Sequence, residues 1–223
     1  MRILTENVAS YGSLIDALWI LITITVGVCF LIAEAVLIYS AIRYRRKDGK
    51  KAAYIRGDTW RQAKWILIPV IIVALLDIYI DARTTPAWKL IKEHLPHADQ
   101  RVGIMGVQFL WLFTYPGPDG SLGTDDDIAL PADLHVPVDA NIVFDLTSMD
   151  VLHSIWVPQL RLKQDAIPGR TIQGWFNATQ TGTYEIACAE LCGVSHGLMR
   201  GTLHVHTAEE YEQWVQSLYP EPE

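Results

Sequence analysis

Residues 188–199 of this 223-residue chain read Cys-Ala-Glu-Leu-Cys-Gly-Val-Ser-His-Gly-Leu-Met. Cys188, Cys192, His196 and Met199 therefore put two thiols, an imidazole and a thioether on one short stretch. Soft sulfur ligands beside imidazole select copper, zinc or iron–sulfur clusters. Met199 separates these metals, because a thioether is the weak axial ligand of copper electron-transfer sites and is rarely found on zinc. One copper ion would use two imidazoles, one thiolate and the thioether. The loop offers a second thiolate, and His153 in DVLHSIWVP offers a second imidazole at a strand end. Two thiolates bridging two coppers use every ligand: each metal takes one imidazole, Met199 completes one and a backbone carbonyl completes the other. Two other chemistries stay open on these residues alone. Cys188 and Cys192, four apart on a loop, are compatible with a disulfide in an oxidising compartment, and two cysteines with two histidines can hold zinc. Cys29 lies in an apolar run and is read as packing, and no C-x-x-C-H run is present to attach a haem.

These ligands need a rigid support, and the flanking sequence supplies it. The metal run follows GTYEIA and precedes GTLHVHT, so β-strands pin the loop at both ends. Further short runs with β-branched or aromatic alternation, RVGIMGVQFLWLFTY, NIVFDLTSM and TIQGWFNAT, are bounded by Gly, Pro, Asn and Asp. Short strands without long helices over 101–206 predict a β-sandwich or Greek-key barrel. A C-terminal helix and tail occupy 207–223: Thr207 and Glu210 form a capping box, and Tyr211, Trp214, Val215 and Leu218 recur at helical spacing. The acids of the 119–127 loop lack EF-hand spacing and read as an exposed turn.

The first 85 residues have a different character. An apolar run over 14–42 is longer than the roughly 20 residues a bilayer core needs, and a second run over 63–82 reaches that length. A cleaved signal peptide would have a shorter apolar core and a basic start, so the first run is read as a retained anchor. Between the runs, the segment 43–62 and its edge carry Arg43, Arg45, Arg46, Lys47, Lys50, Lys51, Arg56, Arg61 and Lys64, nine of the 18 basic residues in the chain. The positive-inside rule makes that loop cytoplasmic and puts everything after the second span outside. The expected organisation is a two-helix transmembrane hairpin over 1–85, an interfacial linker over 86–100 and the β domain. Glu34 and Asp77 inside the spans are costly carboxylates, satisfied either by a functional role or by a partner helix. Net charge is −7, which disfavours nucleic acid, and from Arg83 onward 8 basic residues face 18 acids. Such a field repels polyanions and raises the encounter rate of a basic partner.

The spacing C-x-E-x-C-x₃-H-x₂-M, together with LTSMDVLHSIWVP and LKQDAIPGR upstream, resembles subunit II of the haem–copper cytochrome c oxidases. The resemblance extends over both spans, the basic loop and the outer domain. It implies a cupredoxin-like barrel holding a binuclear copper A centre, with ligands at His153, Cys188, Cys192, His196, Met199 and the backbone carbonyl of Glu190. The Glu190 side chain would reach a magnesium or manganese ion shared with subunit I. Electrons would enter from a c-type cytochrome, soluble or complex-bound, past Phe109 and Trp111, and leave near His196 for haem in subunit I. Oxygen reduction to water and proton translocation would belong to the complex. The implied setting is the bacterial cytoplasmic membrane, with lipid, subunit I and other oxidase subunits as partners and the copper domain on the periplasmic side. Two positions depart from the family: Phe109 stands where a tryptophan takes in the electron, and Gln62 stands where many members carry a glutamate at a proton-path mouth, leaving Asp58 as the nearest acid. Alternatives are the copper A subunit of a nitric oxide reductase and, from a different class, a membrane-anchored copper carrier or assembly factor. The intact ligand set argues against a copper-free subunit like that of the quinol oxidases.

Overall fold

Side chains after residue 99 alternate between the two faces of extended chain, and ten strands follow. The computed structural model describes residues 5–49, 51 and 53–218; residues 1–4, Lys50 and Ala52 of the basic loop and the tail 219–223 lie outside the described residues. The strands are β1 (Gln100–Val107), β2 (Leu110–Tyr115), β3 (Ile128–Pro131), β4 (Asp133–Pro137), β5 (Asn141–Ser148), β6 (His153–Val157), β7 (Leu162–Ala166), β8 (Ile172–Asn177), β9 (Gly182–Cys188) and β10 (Arg200–His206). They form two five-stranded sheets, ordered β3-β2-β1-β5-β8 and β4-β10-β9-β6-β7. Pairing is antiparallel except for β1 with β5 and β10 with β4. Ile104, Trp111, Phe113, Phe144 and Leu146 of the first sheet and Leu134, Ile155, Ile186 and Leu203 of the second are buried in one shared core. Burying such side chains contributes about 1.5–3 kcal/mol each.

The chain divides into two units, residues 16–88 and a β unit made of residues 89 onward with the N-terminal residues up to Ile15. In the first, α1 (Gly12–Arg43) and α2 (Trp60–Trp88) are long and apolar enough to cross a membrane. Their apolar side chains are exposed all around the helix, the pattern of a helix whose surroundings are lipid or other helices. Asp58 pairs with Arg56 at 2.9 Å, and the Gln62 amide oxygen accepts the Gly57 N–H at 2.8 Å.

Three features depart from the sequence expectation. Pro69, expected near the start of the second span, is the tenth residue of α2, and Pro86 lies inside the same helix rather than in a linker. Interior prolines are tolerated in membrane helices; in the turn before Pro86 the hydroxyls of Thr84 and Thr85 bond back to the carbonyls of Ile80 and Asp81, at 3.0 and 2.8 Å. The 86–100 region is then partly helical, with a π-helical turn at Lys89–Glu93. The N-terminal residues, expected in the membrane hairpin, instead strap the β unit. The Val8 N–H donates to the Gln159 carbonyl at 3.0 Å, and Ala9 bridges Ala178. The Arg161 guanidinium donates to the Thr5 hydroxyl and carbonyl at 3.0 and 2.8 Å, and Tyr11 packs edge-on against Trp175 at 5.2 Å. Val8 and Tyr11 are buried because they close the end of the sandwich beside β8.

The C-terminal helix α3 (Ala208–Leu218) starts with a reciprocal capping box: the Thr207 N–H donates to the Glu210 carboxylate at 2.9 Å, and the Glu210 N–H donates to the Thr207 hydroxyl at 3.2 Å. The strap is expected to matter for stability. Tyr11→Ala should lower the stability of the β unit by about 3 kcal/mol. Tyr11→Phe should cost nothing, because its buried hydroxyl has no hydrogen-bond partner among the described residues. Thermal unfolding followed by circular dichroism checks both.

Candidate metal centre

Two segments of the second sheet carry the site. His153 opens β6, where Gly106 of β1 makes room for it: a Cβ at Gly106 would lie 2.8 Å from the His153 ring. Cys188 closes β9, and the chain then loops back to Met199 just before β10 begins. The Cys188 N–H donates to the Met199 carbonyl at 3.1 Å and the Ala189 N–H to the Ser154 carbonyl at 2.9 Å, so the loop is closed across its base. A short 3₁₀ turn, His196–Leu198, turns His196 inward.

The four side chains from one loop and His153 from the neighbouring strand meet. The sulfur atoms of Cys188 and Cys192 are 3.9 Å apart, and both cysteines are free thiols. His153 Nδ1 faces Cys188 Sγ at 3.9 Å and His196 Nδ1 faces Cys192 Sγ at 3.6 Å. Met199 Sδ lies 3.8 Å from Cys192 Sγ, and the Cys188 thiol points at the Glu190 carbonyl at 3.3 Å. His153 and Met199 are fully buried and the two cysteines nearly so. The ligand atoms of His153, Cys188 and Cys192 all lie within 4.8 Å of one another.

Asp150 orients His153. Its carboxylate accepts from His153 Nε2 at 2.8 Å and from the backbone N–H groups of Gln108 and Val151 at 2.7 and 2.6 Å. A carboxylate only accepts, so the imidazole proton sits on Nε2 and the Nδ1 lone pair is turned toward the sulfur. Partial burial pushes the Asp150 carboxyl up, but these hydrogen bonds outweigh it and hold the group below the usual carboxylate range. Burial, then the adjacent Cys188, push the Cys192 thiol up to about 11. With protons alone the Cys192 thiol is held neutral, and a bound cation is what would favour its thiolate.

The donor set fits a soft cation pair. Three sulfur atoms, two imidazole nitrogens and a carbonyl oxygen converge on one pocket, and the sulfur gap is far longer than the roughly 2.05 Å of a disulfide. A zinc site on the two cysteines and two histidines would not use the Met199 thioether, which the geometry places 3.8 Å from Cys192 Sγ.

Of the aromatic pair singled out from the sequence, Trp111 is buried with its ring edge-on to His153 at 5.9 Å between centroids. Phe109 is half-buried against Gly193 of the metal loop, where a Cβ would lie 2.9 Å from its ring. Gln108 ties the same turn to the loop by donating its side-chain N–H to the Cys192 carbonyl. On and beside the segments that carry the site, the apolar side chains of Met149, Leu191, Val194 and Leu198 are exposed. Three of the four acids of the 119–127 loop are instead taken up by the turn itself, Asp119 accepting from the Ser121 N–H, Asp126 from the Thr124 hydroxyl and Asp127 from the Gly123 N–H, each at 2.7 Å. Sequence reasoning missed Asp150, Gly106 and Gln108. Asp150, three residues before His153, was the one with a readable signal, an acid placed to orient an imidazole.

Residues 118–205 match the family model described as cytochrome C oxidase subunit II, periplasmic domain. Cytochrome c oxidase subunit 2 of Synechocystis sp. is 32% identical over 91% of this chain and 71% of its own length. The alternative cytochrome c oxidase subunit 2 of Bradyrhizobium diazoefficiens is 30% identical over 95% and 82%. Among solved structures, the periplasmic domain of subunit II of cytochrome oxidase from Bradyrhizobium japonicum is 29% identical and superposes with a TM-score of 0.50, covering 56% of this chain and 96% of that one. With two apolar helices and a cupredoxin-like β unit of a periplasmic-domain family, this is a membrane protein with an outer-side domain. The chain belongs to the cytochrome c oxidase subunit 2 family and is thus a subunit of an oxidoreductase complex.

Proposed function

We propose that this chain is the electron-entry subunit of a respiratory haem–copper oxidase, taking single electrons from a c-type cytochrome and passing them toward haem in subunit I. The observation that carries this reading is the pair of thiols 3.9 Å apart, each facing its own imidazole Nδ1, with Met199 and the Glu190 carbonyl beside them. Two copper ions held by this set would supply a one-electron carrier whose charge is shared through both sulfurs. The chain's own part is to hold the six donors still. The strand ends fix Cys188 and Met199, Asp150 fixes the ring and tautomer of His153, and the buried core excludes water, so little has to move when charge changes. A carrier that must surrender its metal needs exposed ligation, whereas His153 and Met199 are fully enclosed.

Electron entry is assigned to the apolar rim of Met149, Leu191, Val194 and Leu198, with Phe109 behind it and Trp111 inside, against His153. Exit is assigned to the half-buried side of His196. The half-buried carboxylate of Glu190, whose carbonyl is turned to Cys188, is left for a magnesium or manganese ion shared with subunit I. The acid-rich outer domain favours a basic donor, and a bacterial cytoplasmic membrane is the setting that fits a periplasmic copper domain.

Electron paramagnetic resonance of the copper-loaded chain tests the central assignment. A seven-line pattern from one electron shared over two coppers is expected, and a four-line pattern or a zinc-only protein overturns it. Cys192→Ser should abolish the seven-line pattern, because a hydroxyl does not bridge as a thiolate does. Met199→Leu should keep both coppers and shift the reduction potential, read by a redox titration. Asp150→Asn should weaken copper retention roughly 10–100-fold, measured by competition with a chelator, since the amide can no longer hold His153 in one tautomer. Raising ionic strength should slow electron entry from a soluble basic donor by on the order of tenfold in stopped-flow traces; a flat profile would point to a donor bound permanently in the assembly.

A further inference from the structure

The turn joining β1 to β2 is only Gln108 and Phe109, since Val107 already pairs with Leu110. From this turn Gln108 reaches both halves of the metal centre. Its backbone N–H donates to Asp150 Oδ2 at 2.7 Å, while Asp150 Oδ1 accepts from His153 Nε2 at 2.8 Å. Its side-chain amide donates to the carbonyl of Cys192, 84 residues further along the chain. The two cysteines are fixed in different ways. Cys188 ends a strand, and its N–H is bonded to the Met199 carbonyl at 3.1 Å. Cys192 lies in mid-loop, and among the described residues no residue other than Gln108 hydrogen-bonds its backbone.

The metal loop is shaped to receive this turn. Gly193, next to Cys192, has a φ of 144°, a conformation that residues with a side chain rarely adopt. A Cβ there would lie 2.9 Å from Gln108 Nε2 and 2.9 and 3.0 Å from two carbons of the Phe109 ring. Glycine is therefore required at 193 both by its own backbone and by the close approach of the turn. Gln108 itself is exposed, so its long side chain gives up rotamer freedom, and an N–H that water would satisfy, to hold one carbonyl.

We propose that Gln108 is a positioning residue for the two-copper centre, holding the Cys192 thiolate in register with His153 across the β1–β2 turn. The inference rests on the copper reading given above. Overlap between a thiolate lone pair and a metal depends on the torsion about the Cβ–Sγ bond, and that torsion is limited by where the peptide of the cysteine sits. The strand end sets this for Cys188. For Cys192 the Gln108 amide sets it, acting through the carbonyl and touching no metal donor atom. Loss of the amide leaves the backbone bond from residue 108 to Asp150 in place, so His153 keeps its orientation and Cys192 alone gains freedom.

The test uses the full chain in detergent, loaded with copper, in three forms: wild type, Gln108→Met, which keeps the length and loses the donor, and Gln108→Lys, which keeps a donor at similar reach. In paramagnetic proton NMR the ratio of the two Cβ-proton shifts of a ligating cysteine reports its Cβ–Sγ torsion. Gln108→Met should keep the seven-line resonance with both coppers bound, change this ratio for Cys192 and leave it unchanged for Cys188. It should also hold copper roughly tenfold less tightly against a chelator. Gln108→Lys should return the Cys192 ratio to that of the wild type. A Cys192 ratio unchanged in Gln108→Met, equal changes at both cysteines, or no recovery in Gln108→Lys overturns the role of Gln108 and leaves the copper reading standing. A wild-type chain without the seven-line pattern overturns both.

Discussion

Two sulfur atoms held 3.9 Å apart, without a bond between them, are the constraint around which the outer domain is arranged. Thiols this close in an oxidising compartment would ordinarily pair. Here each sulfur is engaged by its own imidazole, and the backbone that carries them is fixed both across the base of the loop and by bonds from outside it. The Met199 carbonyl takes the Cys188 N–H, the Ser154 carbonyl takes the Ala189 N–H, and Gln108 reaches across to the Cys192 carbonyl. The spacing of the two cysteines is thus a property of three separate segments of chain.

The same device recurs around His153. Its ring fits only because Gly106 has no side chain, its tautomer is set by Asp150, and Asp150 in turn is held by two backbone N–H groups, one from the β1–β2 turn. Charge on that carboxylate is stabilised by hydrogen bonds more than it is penalised by burial. A preorganised set of donors of this kind meets the requirement of the proposed electron relay, which gains from a site that changes little between its two states.

The outer face of the second sheet uses its aromatic residues for a different purpose. His135, His204 and His206 alternate with Leu134, Val136, Leu203 and Val205, so the strands that build the apolar core also present the imidazoles to α3. Because β10 begins immediately after Met199 and ends at His206, one strand has the metal loop at its start and the stack of imidazoles at its end.

Much of this was legible before any coordinates. The period of two in the strands, the apolar length of the spans, the basic loop and the Thr207–Glu210 cap are local signals, and the soft-ligand run from Cys188 to Met199 is local as well. What could not be read was whatever depended on segments distant in the chain. Residues 5–11 look like a polar lead into a span, yet Val8 and Tyr11 complete the β core, because burial is decided by which surface is left open when the sheets close. Pro86 reads as a helix end, yet α2 passes through it. The residue types in the metal run restrict its chemistry to a few soft cations or a disulfide. What the tertiary structure adds is His153, brought across from another strand, and a separation of 3.9 Å between the sulfurs, since distance and direction between donors are set by packing and not by order along the chain.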